Sequence, residues 1–206
     1  MNRRLPLLCL AASALLALSS VNAPAAQWNG VAQREGKPVT WDELEHTKWI
    51  ADGRDDAPRK VYVFMDANCK YCTKFWSDAR PWVDSGKVQL RHVMVAVIAP
   101  TSAGKAAALM GDRDPAKRLA SYEQSHAFGV ARMMAGGPHH SLQDPNLEPL
   151  ASIPPAVSLE LEQHEGLMHA LGLTGTPGVV WRGLDGRLVA RPGVAAEDLP
   201  RVFGSL

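Results

Sequence analysis

Residues 61–76 read VYVFMDANCKYCTKFW, and the order of residue types in this stretch decides the fold. The first five residues are apolar and rich in β-branched and aromatic side chains, which predicts a buried strand ending before Asp66. Cys69 then begins a helical pattern, and Cys72 lies nearly one turn further along the same helix face. Cysteines at this spacing are close enough for a disulfide to form and open without unfolding the chain.

The position of Cys69 at a helix start favours its thiolate. Unpaired backbone N–H groups and the positive end of the helix dipole lie there, and both stabilise a negatively charged sulfur. We therefore expect Cys69 to be the nucleophile. Cys72, deeper in the first turn, is then the resolving thiol that attacks a mixed disulfide and releases the substrate.

Three other uses of a cysteine pair fit the sequence less well. A zinc site normally takes four ligands, and the chain has no second cysteine pair. Haem attachment needs a histidine directly after the second cysteine, and Thr73 occupies that position. A purely structural disulfide remains an alternative, although so short a loop constrains the unfolded chain only weakly.

The first 26 residues have the pattern of a cleavable secretory signal. A basic start is followed by a short apolar run and then by small residues up to Ala26. An uncleaved anchor is the lesser alternative, because the apolar run is short for a membrane span. Cys9 lies inside that run and should leave with the signal. The expected mature chain then keeps Cys69 and Cys72, in an exported protein whose disulfides can persist.

Length and charge indicate one globular domain with a short appendage. The 206 residues are 46% hydrophobic, which is enough for a core. Loss of residues 1–26 removes two arginines and changes the net charge from +1 to −1, so no positive excess remains to attract nucleic acid or an anionic membrane. We expect residues 27–58 to form a lead and a linker helix. Residues 59–206 should form a catalytic domain with a helical insertion at about 101–172.

The N-terminal half predicts a short helix and a β-α-β unit. Thr40 and Glu43 have the spacing of a capping box, which predicts a helix from residue 41 to about residue 50. The cysteine helix should run to about Asp84, with a kink at Pro81. Residues 88–98 are largely apolar and predict a second strand, buried on both faces.

A helical section follows the second strand. Helices are expected at about residues 101–110, from an Asp-Pro start at 114 to about 135, and from a Ser158 N-cap to about 171. His126 falls on the apolar stripe of the middle helix, which favours a core histidine bonded to a neighbour over a general base. The loop at 136–155 contains His139 and His140, but a metal site there would need further ligands.

The C-terminal part predicts a hairpin and a final helix. Pro177 precedes a short apolar strand, and Asp185-Gly186 predicts a turn between strands at 179–181 and 188–190. Residues 195–203 predict the terminal helix. The element order is therefore a linker helix, β-α-β, a helical insertion and β-β-α. This is the α/β thioredoxin-like fold, with a central sheet, helices on both sides and the nucleophile at a helix start.

Four segments of the chain each resemble known proteins. They are residues 66–76, residues 79–91, the Asp-Pro-Ala-Lys step at 114–117, and Thr176-Pro177. Together they resemble the DsbC/DsbG family of periplasmic thiol:disulfide interchange proteins, and within that family the DsbG members most. The likeness extends over about residues 41–203, which is most of the expected mature chain. A Cys-x-x-Cys motif alone is weakly diagnostic, whereas the motif together with these segments is specific.

The resemblance implies a periplasmic location, a catalytic pair Cys69 and Cys72, and a cis Thr176-Pro177 bond that faces the cysteines and binds substrate. A cis proline offers no N–H and holds the neighbouring backbone extended, where a substrate strand can pair beside the attacking thiol. The implied partners are periplasmic proteins with disulfides or oxidised cysteines, and a membrane thiol-redox partner. No cofactor, metal or nucleic acid is expected.

Three features depart from the usual pattern. Family members carry an N-terminal dimerisation domain, for which the chain before Thr40 is too short, so we expect a monomer. Lys70 stands where proline or glycine is more usual, and its charge should make Cys69 more acidic. Val63 occupies the position six before Cys69, where several relatives of the fold place a buried acid, so no local proton relay is expected there.

We therefore expect a periplasmic thiol-disulfide oxidoreductase, acting as a DsbG-like disulfide reductase, isomerase or sulfenic acid reductase. Reduced Cys69 attacks a disulfide or a sulfenylated cysteine, and Cys72 resolves the mixed species. A monomeric oxidase is one alternative, because proteins of this fold differ in potential by about 150 mV and work in either direction. A non-enzymatic chaperone, or a copper carrier that uses the two cysteines and a histidine, is the other.

Overall fold

The computed structural model describes residues 38–144 and 147–206. The predicted signal at 1–26 and residues 27–37 of the lead lie outside these ranges. The described residues form one mixed sheet that is covered by helices on both faces. None of the described helices is both long enough and apolar enough to cross a membrane.

Five strands and six α-helices make up the described part of the chain. The strands are β1 Ile50–Asp52, β2 Arg59–Met65, β3 Val88–Met94, β4 Gly178–Arg182 and β5 Leu188–Pro192. The helices are α1 Trp41–Glu45, α2 Lys70–Asp84, α3 Ser102–Met110, α4 Pro115–Met134, α5 Pro155–Ala170 and α6 Leu199–Phe203, with a 3₁₀ turn at Ala196–Asp198 before α6.

The strand that precedes the cysteines lies at the centre of the sheet. The strand order is β1-β3-β2-β4-β5, and β2 pairs parallel with β3 and antiparallel with β4. Val61, Val63 and Met65 pack under α2, α3, α4 and α6, whereas Tyr62 and Phe64 pack against α1 and α5. Both faces of β2 are therefore buried, which explains why its sequence is an unbroken apolar run.

The segment before the central strand differs in part from its prediction. The capping box is confirmed, because Thr40 Oγ1 accepts the Glu43 N–H at 3.2 Å and Glu43 Oε2 accepts the Thr40 N–H at 2.8 Å. The predicted helix to about residue 50 is wrong in its second half, since α1 ends at Glu45 and Ile50 begins β1. A three-residue strand is too short to show a period. It forms because it pairs with β3, where Ile50 lies opposite His92.

Two further boundaries differ from the prediction. β3 ends well before residue 98, because the N–H groups of Val97 and Ile98 donate to the Asp66 carboxylate and not to a neighbouring strand. α5 begins at Pro155, in a first turn where proline needs no hydrogen-bond acceptor. Ser158 therefore lies inside α5 and is not its N-cap.

The C-terminal part confirms the predicted hairpin. β4 and β5 pair antiparallel across a turn in which Gly186 has a φ of 77°, a left-handed value that favours glycine. The predicted helix at 195–203 begins as a 3₁₀ turn, and Pro200 lies in the first turn of α6. The ring of Phe203 meets the ring of Trp82 edge-on at 5.5 Å, so α6 packs directly on α2. The order β-α-β, helical insertion, β-β-α is confirmed, with β1 added.

Candidate active site

The two cysteines lie at the start of α2, directly after the central strand. Cys69 is the N-cap residue, with extended backbone angles, and its Sγ accepts the N–H of Cys72 at 3.2 Å. The Cys69 N–H donates to the carbonyl of Asp66 at 2.9 Å, which holds the turn between strand and helix. Both sulfurs are free thiols in this structure, and both side chains are buried. The sequence thus placed both cysteines correctly relative to the helix.

The Thr176-Pro177 segment faces the first of these sulfurs. The peptide bond between the two residues is cis. The carbonyl oxygen of Thr176 accepts a hydrogen bond from the Cys69 thiol at 3.3 Å. The Thr176 hydroxyl is buried and has no hydrogen-bond partner among the described residues, so it is available to the same sulfur. Four residues singled out from the sequence, Cys69, Cys72, Thr176 and Pro177, therefore meet at one place.

The surroundings of the two thiols shift their pKa values in opposite directions. A hydrogen bond with the Cys72 side chain lowers the pKa of Cys69; burial opposes this effect, and Thr176 with the backbone N–H groups of Cys72 and Tyr71 adds to it. Burial raises the pKa of the Cys72 thiol well above its usual value, and the neighbouring Cys69 sulfur raises it further. Cys69 is therefore the thiol that ionises first, as a nucleophile requires.

Asp66 holds the turn that presents Cys69. One carboxylate oxygen accepts the Asn68 N–H and the Ser102 hydroxyl, each at 2.8 Å. The other accepts the backbone N–H groups of Val97 and Ile98 at 2.8 and 3.0 Å. One buried carboxylate thus links the cysteine turn to the start of α3 and to the segment after β3. Four donors satisfy its charge, which makes its burial stable.

A buried lysine on α3 hydrogen-bonds to the turn that precedes Cys69. Lys105 is 2% exposed, and its Nζ donates to Asn68 Oδ1 at 2.9 Å, to the Leu142 carbonyl at 2.6 Å and to the Tyr122 hydroxyl at 3.3 Å. Burial lowers the pKa of Lys105, against the charges of two nearby carboxylates. Sequence analysis missed this residue, because one lysine in an Ala-rich helix is usually exposed.

A groove of about 670 Å³ opens beside Cys69. It is lined by residues 174–176, by the insertion loop at 139–143, and by Tyr71, Val97 and Ile98. These three large apolar side chains are 42% to 57% exposed. Exposed apolar side chains around a reactive sulfur are typical of a surface that binds another apolar segment. A second cavity, of about 710 Å³, shares Thr176 but is lined by neither cysteine.

The insertion loop is attached to α4 through a histidine pair. His126 is buried, as predicted, and its Nδ1 lies 3.0 Å from Nε2 of His140, which lines the groove. Gly129 provides the space for this contact, since a Cβ there would overlap the His140 ring. His139 lies in the same loop and is exposed. In residues 38–144 and 147–206, no group of three or more His, Cys, Asp or Glu side chains is arranged to hold a metal ion.

A buried acid lies near the cysteines, although it is not at the position examined in the sequence. Val63 is apolar core, but Glu123 of α4 is 1% exposed and packs against α2. Burial raises the pKa of Glu123 to about 8, and a hydrogen bond from the Thr73 side chain opposes that rise. Glu123 lies on the helix face that buries Leu119 and His126. An acid inside an apolar stripe was the signal that could have identified it.

The fold and the cysteine site together define a thioredoxin-like protein with a Cys-x-x-Cys pair. Solved structures of this fold include the catalytic domain of Proteus mirabilis ScsC, with a TM-score of 0.54 at 19% identity over 75% of this chain and 86% of that one. A periplasmic thioredoxin-like protein from Salmonella enterica serovar Typhimurium has a TM-score of 0.55 at 15% identity over 75% and 87%. A thioredoxin-like oxidoreductase from Silicibacter pomeroyi DSS-3 has a TM-score of 0.51 at 25% identity over 78% and 94%.

Two curated proteins are similar to the chain in sequence. The chain is 44% identical over 165 residues to the thiol:disulfide interchange protein DsbG of Pseudomonas aeruginosa, covering 80% of this chain and 58% of that protein. It is 41% identical over 145 residues to DsbG of Escherichia coli K12, covering 68% and 50%. Over this shared region the chain is similar to the DsbG thiol:disulfide interchange proteins. It spans about half the length of these curated relatives, and no family model matches it.

Proposed function

We propose that the chain is a periplasmic thiol-disulfide oxidoreductase, a disulfide reductase or isomerase that also accepts sulfenic acids, with Cys69 and Cys72 as its redox pair. The observation that carries the proposal is the environment of Cys69. Its sulfur accepts an N–H at the start of α2 and lies 3.3 Å from the carbonyl of Thr176. A thiol with a lowered pKa beside a backbone edge is what disulfide exchange requires.

The exchange proceeds in two balanced steps. The Cys69 thiolate attacks one sulfur of a substrate disulfide, the other sulfur leaves as a thiolate, and a mixed disulfide forms. Cys72 then loses its proton and attacks Cys69 Sγ, so the substrate leaves with the electron pair of the broken bond. The protein is left with an oxidised Cys69–Cys72 pair. A sulfenic acid gives the same mixed disulfide, with one proton taken up and water released.

The groove supports a protein substrate. Thr176 presents a backbone carbonyl next to the attacking sulfur, and an extended segment can pair along that edge. Tyr71, Val97 and Ile98 offer exposed apolar contacts on the same surface. The substrates we propose are periplasmic proteins in which a disulfide or an oxidised cysteine lies in an extended apolar segment.

The remaining proposals concern the context of the reaction. Residues 1–26 act as an export signal, residues 27–58 form a lead and linker, and residues 59–206 form the catalytic domain with its helical insertion. The mature chain acts as a monomer in the periplasm, and a membrane thiol-redox partner returns the pair to its reduced form. The curated relatives are thiol:disulfide interchange proteins, which supports the exchange chemistry in this proposal.

Trapping of the mixed disulfide tests the proposed function. The purified Cys72→Ser protein should accumulate a mixed disulfide with a disulfide-bonded peptide, because Cys69 still attacks but nothing resolves the product. The Cys69→Ser protein should form none. The adduct is measured by intact-protein mass spectrometry under denaturing conditions. Full activity of the Cys69→Ser protein would contradict the proposal and favour a chaperone.

One observation favours a second function, disulfide oxidation. The lowered pKa of Cys69 stabilises the reduced protein, and a stabilised reduced form makes a dithiol pair more oxidising. Thiol trapping in cells separates the two directions. The reductase proposal expects the Cys69–Cys72 pair to be mostly reduced, and a mostly oxidised pair would favour the oxidase.

A further inference from the structure

The carboxyl group of Glu123 is buried where α4 packs on α2, the helix that follows Cys69. The residue is 1% exposed, and its Oε2 has no hydrogen-bond partner among the described residues. The Thr73 side chain hydrogen-bonds to the carboxyl, and Thr73 is itself buried and directly follows Cys72. Glu123 therefore reaches α2 beside Thr73, the residue that follows Cys72, and its charge acts on the Cys72 thiol.

Among residues 38–144 and 147–206, no cation forms an ion pair with this carboxyl. Arg80, a basic side chain whose charge acts on Glu123, makes two hydrogen bonds to Asp52 at 3.0 and 2.5 Å. His92 also lies 3.3 Å from the Asp52 carboxylate. Burial opposes ionisation of Asp52, but its hydrogen bonds with His92 and Arg80 hold its pKa well below its ordinary value. The two nearby basic groups thus serve Asp52, and Glu123 is left without a salt bridge in the described part of the chain.

A buried carboxyl without an ion pair is costly to a folded protein. The titratable and charged groups that face Glu123 come from α2, β1 and β3, and the closest network is that of Asp52. On α2 these groups are Cys69, Cys72 and Arg80; on β1 the group is Asp52, and behind it on β3 lies His92. Among them, Cys72 must change its protonation state during the reaction. A role in moving the proton of Cys72 would explain why a carboxyl is buried at Glu123.

Cys72 needs a proton acceptor that solvent does not readily supply. Its side chain is 2% exposed, and burial raises the pKa of its thiol well above the usual value. A buried thiol with a raised pKa is almost fully protonated at neutral pH and is then a poor nucleophile. The resolving step therefore depends on a base inside the protein.

We propose that Glu123 accepts the proton of Cys72 when Cys72 attacks the mixed disulfide, and returns a proton to Cys72 when the oxidised pair is opened. This inference rests on the proposed function. In the forward step the S–H proton moves to the Glu123 carboxylate, the Cys72–Cys69 bond forms, and the substrate leaves as a thiolate. In the reverse step a donor thiolate attacks Cys69, and Cys72 leaves with the proton of the Glu123 carboxylic acid. Glu123 acts through Cys72 and does not contact the substrate.

The acidity of Glu123 suits both directions. Its pKa of about 8 leaves the acid and base forms both populated near neutral pH, which is the condition for efficient general acid–base catalysis. The base form resolves mixed disulfides, and the acid form assists reduction of the oxidised pair.

The Glu123→Gln variant tests the inference through the rate of the resolving step. A pre-formed mixed disulfide between Cys69 and a small aromatic thiol is released by Cys72, and release is followed by absorbance in stopped flow. We expect the variant to resolve about 100-fold more slowly at pH 7, the lower range for loss of a positioned acid or base. The wild-type rate should rise with pH and level off above about 8. The variant's rate should keep rising with pH well beyond that point.

The sign of the effect separates this function from a purely electrostatic one. Ionised Glu123 raises the pKa of Cys72, so a role limited to its charge predicts that Glu123→Gln resolves faster. Glu123→Asp should restore part of the rate and the levelling of the pH profile. Glu162→Gln removes an exposed carboxylate from α5 and should behave like the wild type. An unchanged rate and profile in Glu123→Gln would overturn the inference.

The first chemical step distinguishes failure of this inference from failure of the proposed function. In Cys72→Ser proteins with and without Glu123→Gln, attack by Cys69 on the aromatic disulfide should proceed at similar rates. Absence of any adduct on Cys69 would refute the proposed function itself. Normal adduct formation with normal resolution in Glu123→Gln would refute only the role of Glu123.

Discussion

Cys69 shows how a few atoms set the reactivity of one residue. Its sulfur accepts the N–H of Cys72 at the helix start and lies beside the Thr176 carbonyl, and these groups come from opposite ends of the sequence. The helix start was evident from the residue pattern. The position of Thr176 followed only from the family resemblance, because a contact between segments so distant leaves no local signal.

The residue next to Cys69 provides a test at this scale. Lys70 is exposed, and its Nζ lies over the Tyr71 ring, 5.2 Å from the ring centre. Its charge should still favour the Cys69 thiolate, but solvent screens an exposed charge. We expect Lys70→Ala to raise the pKa of Cys69 and to slow its alkylation at pH 6 by less than about fivefold. Alkylation with iodoacetamide, followed over a pH series in the Cys72→Ser background, measures both effects.

Lys117→Ala is the matched control for this charge. Lys117 is also exposed and lies on α4, away from the groove lining. Its removal should leave the titration of Cys69 unchanged. The role of Lys70 would be rejected if both substitutions gave the wild-type titration.

At the scale of elements, the helical insertion forms part of the site. It supplies Lys105, which hydrogen-bonds to the cysteine turn, Glu123, which is buried against α2, and His140, which lines the groove. The helices themselves were predictable from apolar periodicity and from the Asp-Pro start of α4. The contribution of these helices to the site could not be predicted. Lys and Glu are usually exposed, and the sequence does not show which of them the fold buries.

The contact between α4 and the insertion loop depends on one glycine. An alanine at Gly129 would push its Cβ into the ring of His140 and displace the loop that lines the groove. We expect Gly129→Ala to raise the KM for a disulfide-bonded peptide about fivefold, equivalent to roughly 1 kcal/mol of binding. The pKa of Cys69 should not change, because none of the groups that set it is displaced. Steady-state kinetics and the alkylation titration check the two parts separately.

Gly166 on α5 offers a matched substitution in another helix. A Cβ at that position would meet no atom within 4 Å. Gly166→Ala should therefore keep the wild-type KM and stabilise the protein by up to about 1 kcal/mol through helix propensity. Equal kinetic effects of the two alanines would contradict a specific role for the His140 contact.

At the scale of the whole molecule, the buried acid links stability to pH. Burial raises the pKa of Glu123 from 4.5 to about 8, so the folded protein keeps a proton that the unfolded chain releases. The unfolding free energy therefore falls as pH rises through this window, by up to on the order of 4 kcal/mol. We expect Glu123→Gln to gain stability relative to the wild type between pH 5 and pH 8. Urea unfolding of the reduced proteins at both pH values measures the difference.

Glu162→Gln again serves as the reference for this measurement. Its carboxylate is exposed on α5 and lies outside the buried site, so the variant should follow the wild type at both pH values. A stability difference between Glu123→Gln and the wild type that is the same at pH 5 and pH 8 would show that the folded protein does not retain this proton.

The whole-molecule topology was largely predictable, and the reason lies in the central strand. The apolar run at 61–65 could only be a strand buried on both faces, and the hairpin at Asp185-Gly186 has a strong local turn signal. β1 was missed because its existence depends on pairing with β3 and not on its own three residues. The capping box at Thr40 likewise marked where α1 begins but carried no information about where it ends.

The elements that carry the sulfurs and the helices that bring buried charged groups to them are separate stretches of this chain. β2, α2 and the Thr176-Pro177 loop present the reactive atoms, while α3 and α4 bring the buried lysine and the buried acid to them. Ser102 and Lys105 also hold the cysteine turn, so a substitution at either residue would move the sulfurs. A change of charge at Glu123 should instead alter the chemistry of the pair from outside the segments that carry it.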